Sequence, residues 1–244
     1  MFTVFFVFFG WFIGGFVSGI SGFGAMMLAL PVLTLGLDAM DAILTCCIVA
    51  GPCCMQLAWL YRSFVYWPDM KWLWLGCVPG CILGTITLMA IPAGWLQIGI
   101  SLLICIFLIV QIFGGRATWT LPDSIAALLI TGCASGFCNS SVSVVGVPMG
   151  IFVLLKHWDK DKARGTMAMF FLLSSLITIL TQWLSGVYNS YLFQISAIGA
   201  IGCFIGQALG FRVGRHINQA VFVKFALCFL TCAAVMLFFK GIRA

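Results

Sequence analysis

The chain contains 244 residues, of which 63% are hydrophobic and only 7% are charged. Soluble domains carry about a quarter charged residues, so this composition excludes a water-soluble enzyme and a protein that binds nucleic acid. A secreted disulfide scaffold is also excluded, because the chain is long and its 12 cysteines lie mostly in apolar runs. The sequence therefore predicts an all-α polytopic membrane protein that crosses a lipid bilayer several times.

The first 37 residues carry no charge. A proline occurs at position 31, and glycines interrupt the run before it at Gly14, Gly15, Gly19, Gly22 and Gly24. Glycine-rich backbone at membrane depth is tolerated where it lines a cavity. The pattern predicts a hairpin of two short helices that meet near residues 18–22, rather than one straight helix.

Six further apolar stretches have the length of about 20 residues that a membrane-spanning helix needs. They are 42–61, 71–91, 94–113, 162–186, 191–211 and 218–239. A second interrupted run, 121–155, lies between the third and the fourth of them and is charged only at Asp123. The chain is thus predicted to hold two broken hairpins, each followed by three transmembrane helices.

An internal repeat relates the two halves of the chain. Similar short patterns recur in the same order, at a shift that grows from 117 to 122 residues along the sequence. The order of the matches predicts two repeats, residues 1–116 and 117–244, within one membrane domain. The matching positions are Ser18-Gly19 with Ser135-Gly136, Pro31 with Pro148, Thr45 with Thr166, and Gly80 with Gly202.

The basic residues predict the orientation of the chain. Ten of the 12 Lys and Arg residues fall on the cytoplasmic side if each interrupted run begins and ends on a single side of the membrane. Each half then contains an odd number of spans, so the two halves insert in opposite directions. Such inverted repeats are typical of secondary transporters. The ten residues are Arg62, Lys71, Arg116, Lys156, Lys160, Lys162, Arg164, Arg212, Arg215 and Lys224.

Two features of the sequence recur in both halves. The first is the segment 18–24 with Pro31, whose counterpart is Ser135-Gly136 with Pro148, and the second is the Ala-x-x-Thr motif at 42–45 and 163–166. In these features the chain resembles the TauE/SafE permeases over essentially its whole length. The resemblance implies a transporter, not an enzyme, that exports sulfite, organosulfonates or related small anions.

The chain departs from that family's usual pattern after each Ser-Gly pair. The family typically has a run of glycines there in both halves. This sequence has Gly22-Phe23-Gly24-Ala25 in the first half and Asn139-Ser140-Ser141-Val142 in the second.

The helix breaks are the candidate binding site for the anion. A broken helix offers unpaired N–H groups and the positive end of its dipole. Glycine lets the backbone approach an oxyanion, and hydroxyls or amides add donors. Close helix packing is the competing role for the same small residues. The candidates are Ser18, Gly19, Ser21, Gly22 and Gly24 in the first break, and Ser135, Gly136, Asn139, Ser140, Ser141 and Ser143 in the second.

Polar residues outside the breaks give further candidates. Thr45 and Thr166 begin the spans after the hairpins, where each side chain either lines the pathway or bonds to its own helix. Gln56 lies mid-span among apolar residues, so its amide either donates to an anion or joins two helices. Gln182 and Gln207, near span ends, are weaker candidates.

Paired cysteines suggest an alternative function. Cys46-Cys47 and Cys53-Cys54 lie on one predicted helix, and such pairs bind soft metals or exchange thiols. The alternative is a thiol- or metal-dependent membrane redox or transport protein. No C-x-x-C motif occurs and neither histidine accompanies a cysteine cluster, so packing as small apolar residues is favoured. No cofactor and no metal are predicted.

The resulting interpretation is a multi-pass permease that exports a small anion, sulfite or an organosulfonate, across the cell inner membrane. The two breaks are expected to meet near the membrane midplane. A potential of 100 mV is worth about 2.3 kcal/mol for each elementary charge, and every Asp lies at a span edge in a chain without Glu. Uniport is therefore favoured over proton coupling. Assembly as a homodimer stays open.

Overall fold

A computed structural model of the chain describes residues 2–21, 24–113, 124–214, 231, 234–239 and 241–242. This part of the chain is helical and contains no strand. Six of its helices are long and apolar enough to cross a membrane, which confirms the all-α polytopic class. The predicted span 218–239 lies mostly outside the described residues.

The helices follow the predicted order with shifted ends. Five predicted spans, between residues 42 and 211, correspond to α3, α4, α5, α8 and α9. A short 3-10 turn, Arg62–Phe64, links α3 to α4. The helices are α1 (Phe2–Ser21), α2 (Ala25–Leu33), α3 (Ala39–Leu60), α4 (Trp67–Ala90), α5 (Ala93–Phe113), α6 (Ile125–Val142), α7 (Gly146–Leu155), α8 (Lys160–Leu184) and α9 (Ser190–Gly214).

Each hairpin consists of a long helix followed by a short one, so the prediction of two short helices is wrong for the first arm. Helix α1 has 20 residues and α6 has 18, whereas α2 has nine and α7 has ten. The glycines at 14, 15 and 19 do not end α1, because they face neighbouring helices instead. Within the two hairpins, the long helices end at Ser21 and at Val142, and the chain reverses after these residues.

Left-handed backbone marks both reversals. Gly24 precedes α2 with φ 89°, and Ser143 follows α6 with φ 56°. Glycine adopts this region without a steric penalty, whereas serine does so at a cost. At the second reversal the backbone is held by a hydrogen bond, because the N–H of Ser143 donates to the carbonyl of Asn139 at 2.9 Å.

Glycines allow two pairs of helices to pack backbone to backbone. Helix α1 lies along α9, and α6 lies along α4, while α3 packs against α8 between them. Glycines recur every four residues at both contacts, and a Cβ atom added at any of them would press on a carbonyl of the neighbouring helix. Small residues at this spacing are typical of close helix pairs in membranes. They are Gly15, Gly19, Gly202, Gly206 and Gly210 at one contact, and Gly76, Gly80, Gly84, Gly132 and Gly136 at the other.

The basic residues of the described part gather at one end of the helix bundle. At this end the N–H of Tyr66 donates to the Thr166 hydroxyl at 3.0 Å, and Arg164 and Phe211 line one cavity. At the opposite end, the links α2–α3, α4–α5 and α8–α9 contain no Lys or Arg. The residues at the basic end are Arg62, Lys71, Lys156, Lys160, Lys162, Arg164 and Arg212.

The glycine contacts predict a difference between two identical substitutions. Gly80→Ala places a methyl group against the carbonyl oxygen of Cys133 and forces α4 away from α6; overpacking of this kind costs about 1–3 kcal/mol. Gly150→Ala makes the same change in α7 where no atom lies within 4 Å of the added carbon. The melting temperature of the purified protein should fall for Gly80→Ala only. An equal fall for both variants would contradict this packing.

Candidate functional site

The two helix breaks touch each other. The hydroxyl of Ser143, at the second break, lies 3.6 Å from the sulfur of Met26, at the start of α2. A Cβ atom on Gly146, the first residue of α7, would lie 3.3 Å from the terminal methyl of Met27. The N-terminal ends of both short helices therefore reach the same place.

A narrow cavity of about 30 Å³ lies at this contact and is called the central cavity below. A volume of that size holds about two water molecules. Both hairpins contribute to its wall, together with α3 and α8. The wall is formed by Ser18, Gly24, Ala25, Met26, Met27, Cys53, Cys54, Leu57, Ser143, Val144, Val145, Gly146 and Phe171.

A glutamine of α9 fixes the side of the central cavity formed by the first hairpin. The side-chain amide of Gln207 lies 3.5 Å from the Ser18 hydroxyl oxygen and 2.9 Å from the Cys53 sulfur. Ser18 accepts in this contact, so its own O–H proton is available to another partner. Gln207 thus joins the end of α1 to α3 and leaves a hydroxyl donor at the cavity wall.

The hydroxyl of Ser143 has only weak partners. It donates to the thioether of Met26 at 3.6 Å and accepts from the thiol of Cys47 at 3.8 Å. Sulfur is a poor hydrogen-bond acceptor, so an oxyanion in the central cavity would be a stronger acceptor for the same proton. Ser143 is therefore a donor that a ligand can recruit.

A buried polar network holds the second break against α8. Asn139 donates through its amide to Ser174 and to Thr178, both at 3.0 Å. The hydroxyls of Ser140 and Thr178 lie 2.8 Å apart, and Gln182 donates to the Ser140 carbonyl at 3.1 Å. Because these groups are buried, each unmade bond would cost free energy. Asn139 and Ser140 therefore fix the end of α6.

Tyr188 extends the network to the link between α8 and α9. Burial raises the pKa of the Tyr188 hydroxyl, with a smaller effect from Cys47. The hydroxyl therefore keeps its proton and donates to the amide oxygen of Gln182 at 2.5 Å. Gln182 is bonded through both ends of its amide, so the second break is connected to the non-basic end of the bundle.

Only Ser18 and Gly24, of the candidates predicted in the first break, line the central cavity. Gly19 packs against the backbone carbonyl of Gln207 instead. Ser21 is the last residue of α1. Its side chain, like the whole of Gly22, lies outside the described residues.

Among the predicted residues of the second break, only Ser143 lines the central cavity. Gly136 packs against the carbonyl of Cys77. Ser141 donates to the carbonyl of Phe137 in its own helix at 2.6 Å. Ser135 is fully buried, and its hydroxyl has no partner in the described structure.

The candidates outside the breaks lie apart from the central cavity. Thr45 is fully buried and its hydroxyl has no partner in the described structure. Thr166 accepts from the backbone of Tyr66 and so fixes a link at the basic end. Gln56 lines a separate cavity beside Arg164.

Sulfur-bearing residues of the central cavity were not predicted as part of a site. Met26, Met27, Cys53 and Cys54 all line it, although their apolar surroundings in the sequence favoured packing. The internal repeat could have indicated that these cysteines occupy polar positions. At the shift of 121 residues, Cys53-Cys54 corresponds to Ser174-Ser175. One half thus places thiols where the other half places hydroxyls.

The cysteines of the described structure are free thiols, and the sulfurs of Cys77 and Cys81 lie 3.6 Å apart. No group of three or more His, Cys, Asp or Glu side chains in this part of the chain is arranged to hold a metal ion. The polar groups of the central cavity are instead hydroxyls, thiols and helix N-termini.

The network predicts different effects for two neighbouring truncations. Asn139→Ala removes the donor to Ser174 and Thr178 and should destabilise the protein by about 1–3 kcal/mol. Ser141→Ala removes only a bond within α6 and should change the stability by less than about 0.5 kcal/mol. Thermal unfolding in detergent compares the two variants. A larger loss for Ser141→Ala would mean that the network does not hold the break.

Comparison with known proteins is consistent with this architecture. The family described as sulfite exporter TauE/SafE matches residues 7–237. No curated protein and no solved structure matches the chain. The matched range includes both hairpins and the helices between and after them. This is a family of transporters and not of enzymes. The chain therefore belongs to the TauE/SafE family of sulfite exporters and is a multi-pass membrane transporter.

Proposed function

We propose that the protein exports sulfite or an organosulfonate by binding it in the central cavity, where the two helix breaks meet. The observation that carries this proposal is the contact of Met26 and Met27 with Ser143 and Gly146. It brings the N-termini of α2 and α7 to one point. Helix N-termini attract anions through unpaired N–H groups and the helix dipole.

An uncharged site suits the transport of an anion through the bilayer. Charged side chains at the membrane centre cost at least about 2.5–3.5 kcal/mol each, and none of the residues that line the central cavity is charged. Ser18 and Ser143 add hydroxyl donors. Leu57 and Phe171 add apolar surface to the wall of the cavity.

The packing supports two inverted repeats, residues 1–116 and 117–244. Under the shift of the repeat, α1 corresponds to α6, α3 to α8 and α4 to α9. The contact between α1 and α9 in one direction of this correspondence therefore matches the contact between α6 and α4, and the contact between α3 and α8 matches itself. A repeat of this kind allows the halves to rock around a fixed central site and to open it to each side in turn.

The charge distribution supports insertion in a cell inner membrane with the basic end in the cytoplasm. An inside-negative potential then drives an anion outward by about 2.3 kcal/mol per charge for each 100 mV. Asp41, Asp69 and Asp161 all lie in the first turns of their helices. Because no carboxylate of the described helices lies in their interior, the proposed mechanism is uniport.

Flux from proteoliposomes tests the function. Sulfite, sulfate, thiosulfate, taurine and sulfoacetate are loaded separately, and the potential is set with potassium and valinomycin. Sulfite, or a sulfonate with a net negative charge such as sulfoacetate, should leave faster when the inside is negative, whereas flux of the zwitterion taurine should not depend on the potential. A fully ionised sulfonate is diagnostic, because it carries no proton itself. Proton movement in a fixed ratio to sulfonate flux would contradict uniport, and no flux of any anion would refute the function.

The serine at the second break supplies a matched pair of variants for the site. Ser143→Ala removes a donor to the anion and should weaken binding about 10- to 150-fold, the effect of losing a charge-assisted hydrogen bond. Ser141→Ala makes the same chemical change two residues away, but its hydroxyl is bonded within α6. Its binding should match that of the unmodified protein. Ligand-induced thermal stabilisation measures both, and equal losses would place the site elsewhere.

A further inference from the structure

A second cavity of about 510 Å³ lies at the basic end of the bundle and is called the inner vestibule below. Its wall combines the ends of α1, α3 and α9 with the first turns of α8. The polar, charged and aromatic residues that line it are Gln56, Trp59, Tyr61, Arg164 and Phe211.

The inner vestibule adjoins the central cavity. On α1, Ser18 lines the central cavity and Gly19 lines the vestibule. On α3, Leu57 lines the central cavity and Gln56 lines the vestibule. Consecutive residues of two helices therefore face the two spaces. Among the described residues, α1 and α3 thus separate the vestibule from the site between the breaks.

Arg164 is the charged residue of the inner vestibule. It is half-buried, no carboxylate lines the vestibule with it, and no ion pair to it occurs within the described part of the chain. A guanidinium group offers several N–H donors in a planar fork, which matches the oxygens of an oxyanion. Arg164 therefore presents an uncompensated positive charge to this space.

Gln56 provides a second polar group, whose buried amide oxygen lacks a hydrogen-bond donor in the described structure. An unpaired buried acceptor is unfavourable, and a ligand that carries its own donor would satisfy it. An oxyanion with a hydroxyl or ammonium group nearby would complement Arg164 and Gln56 together.

We propose that the inner vestibule is a loading site, where Arg164 binds the sulfo group and Gln56 accepts a hydrogen bond from a neighbouring hydroxyl or ammonium group. The ligand then passes the wall formed by α1 and α3 into the central cavity. This inference rests on the proposed export function and narrows its substrate to hydroxy- or aminosulfonates. Trp59 and Tyr61 give the vestibule apolar surface for the carbon chain.

Two sulfonates of nearly equal size test the loading site. In proteoliposomes, 2-hydroxyethanesulfonate should have a lower KM than ethanesulfonate when added to the face that carries the vestibule. Arg164→Gln should raise both KM values about tenfold, as expected for a lost charged hydrogen bond, with kcat unchanged. Arg164→Lys should restore most of the affinity. Gln56→Leu should remove the preference for the hydroxylated compound.

The control is Lys71→Gln, which removes one positive charge from the same end of the bundle but outside the vestibule. Its KM should stay close to that of the unmodified protein. If Arg164→Gln and Lys71→Gln behave alike while the unmodified protein transports sulfonates, the loading site is refuted and the export function stands. If the unmodified protein transports no sulfonate, the export function itself fails.

Discussion

Broken helices in a membrane must satisfy their backbone N–H and C=O groups without water, and this constraint shapes the rest of the molecule. Most of the described residues beside each break are buried. The second is held by Asn139, whose amide donates to α8, and the first lies beside Gln207, which bonds to Ser18 and Cys53. The polar groups that support the breaks leave the N-termini of α2 and α7 free to face the central cavity. The residues that support the breaks thus differ from the residues that line the central cavity.

The close glycine contacts determine where the two breaks lie relative to α3 and α8. Rows such as Gly76, Gly80 and Gly84 let α4 approach α6 until the backbones touch, and the same holds for α1 and α9. These contacts seat each hairpin beside the central pair α3 and α8. Larger side chains there would displace α1 or α6, and with them Ser18 or Ser143. The small residues that pack the helices therefore differ from those that line the central cavity: Gly19 and Gly136 pack, whereas Gly24 and Ser143 line the cavity.

Hydropathy and glycine spacing were sufficient to predict the class, most spans and the presence of two interrupted hairpins, because these features depend on local sequence. They did not separate Gly24, which lines the cavity, from Gly19, which packs against α9. That distinction depends on which helix lies opposite, and a single sequence contains no record of it. For the same reason Cys53 was interpreted as a packing residue, although it lines the central cavity. The length of α1 was underestimated because its glycines were interpreted as breaks.

Cross-linking across the two breaks tests the central claim most directly. Met27→Cys and Gly146→Cys are combined in a background without the native cysteines, and each single variant serves as the control. Because Met27 approaches Gly146 directly, a short bis-methanethiosulfonate cross-linker, which forms reducible disulfides with both thiols, should join the two positions only in the double variant. The joined protein should lose anion export and regain it on reduction. Failure to cross-link, or full export by the joined protein, would contradict a binding site formed where the two breaks meet.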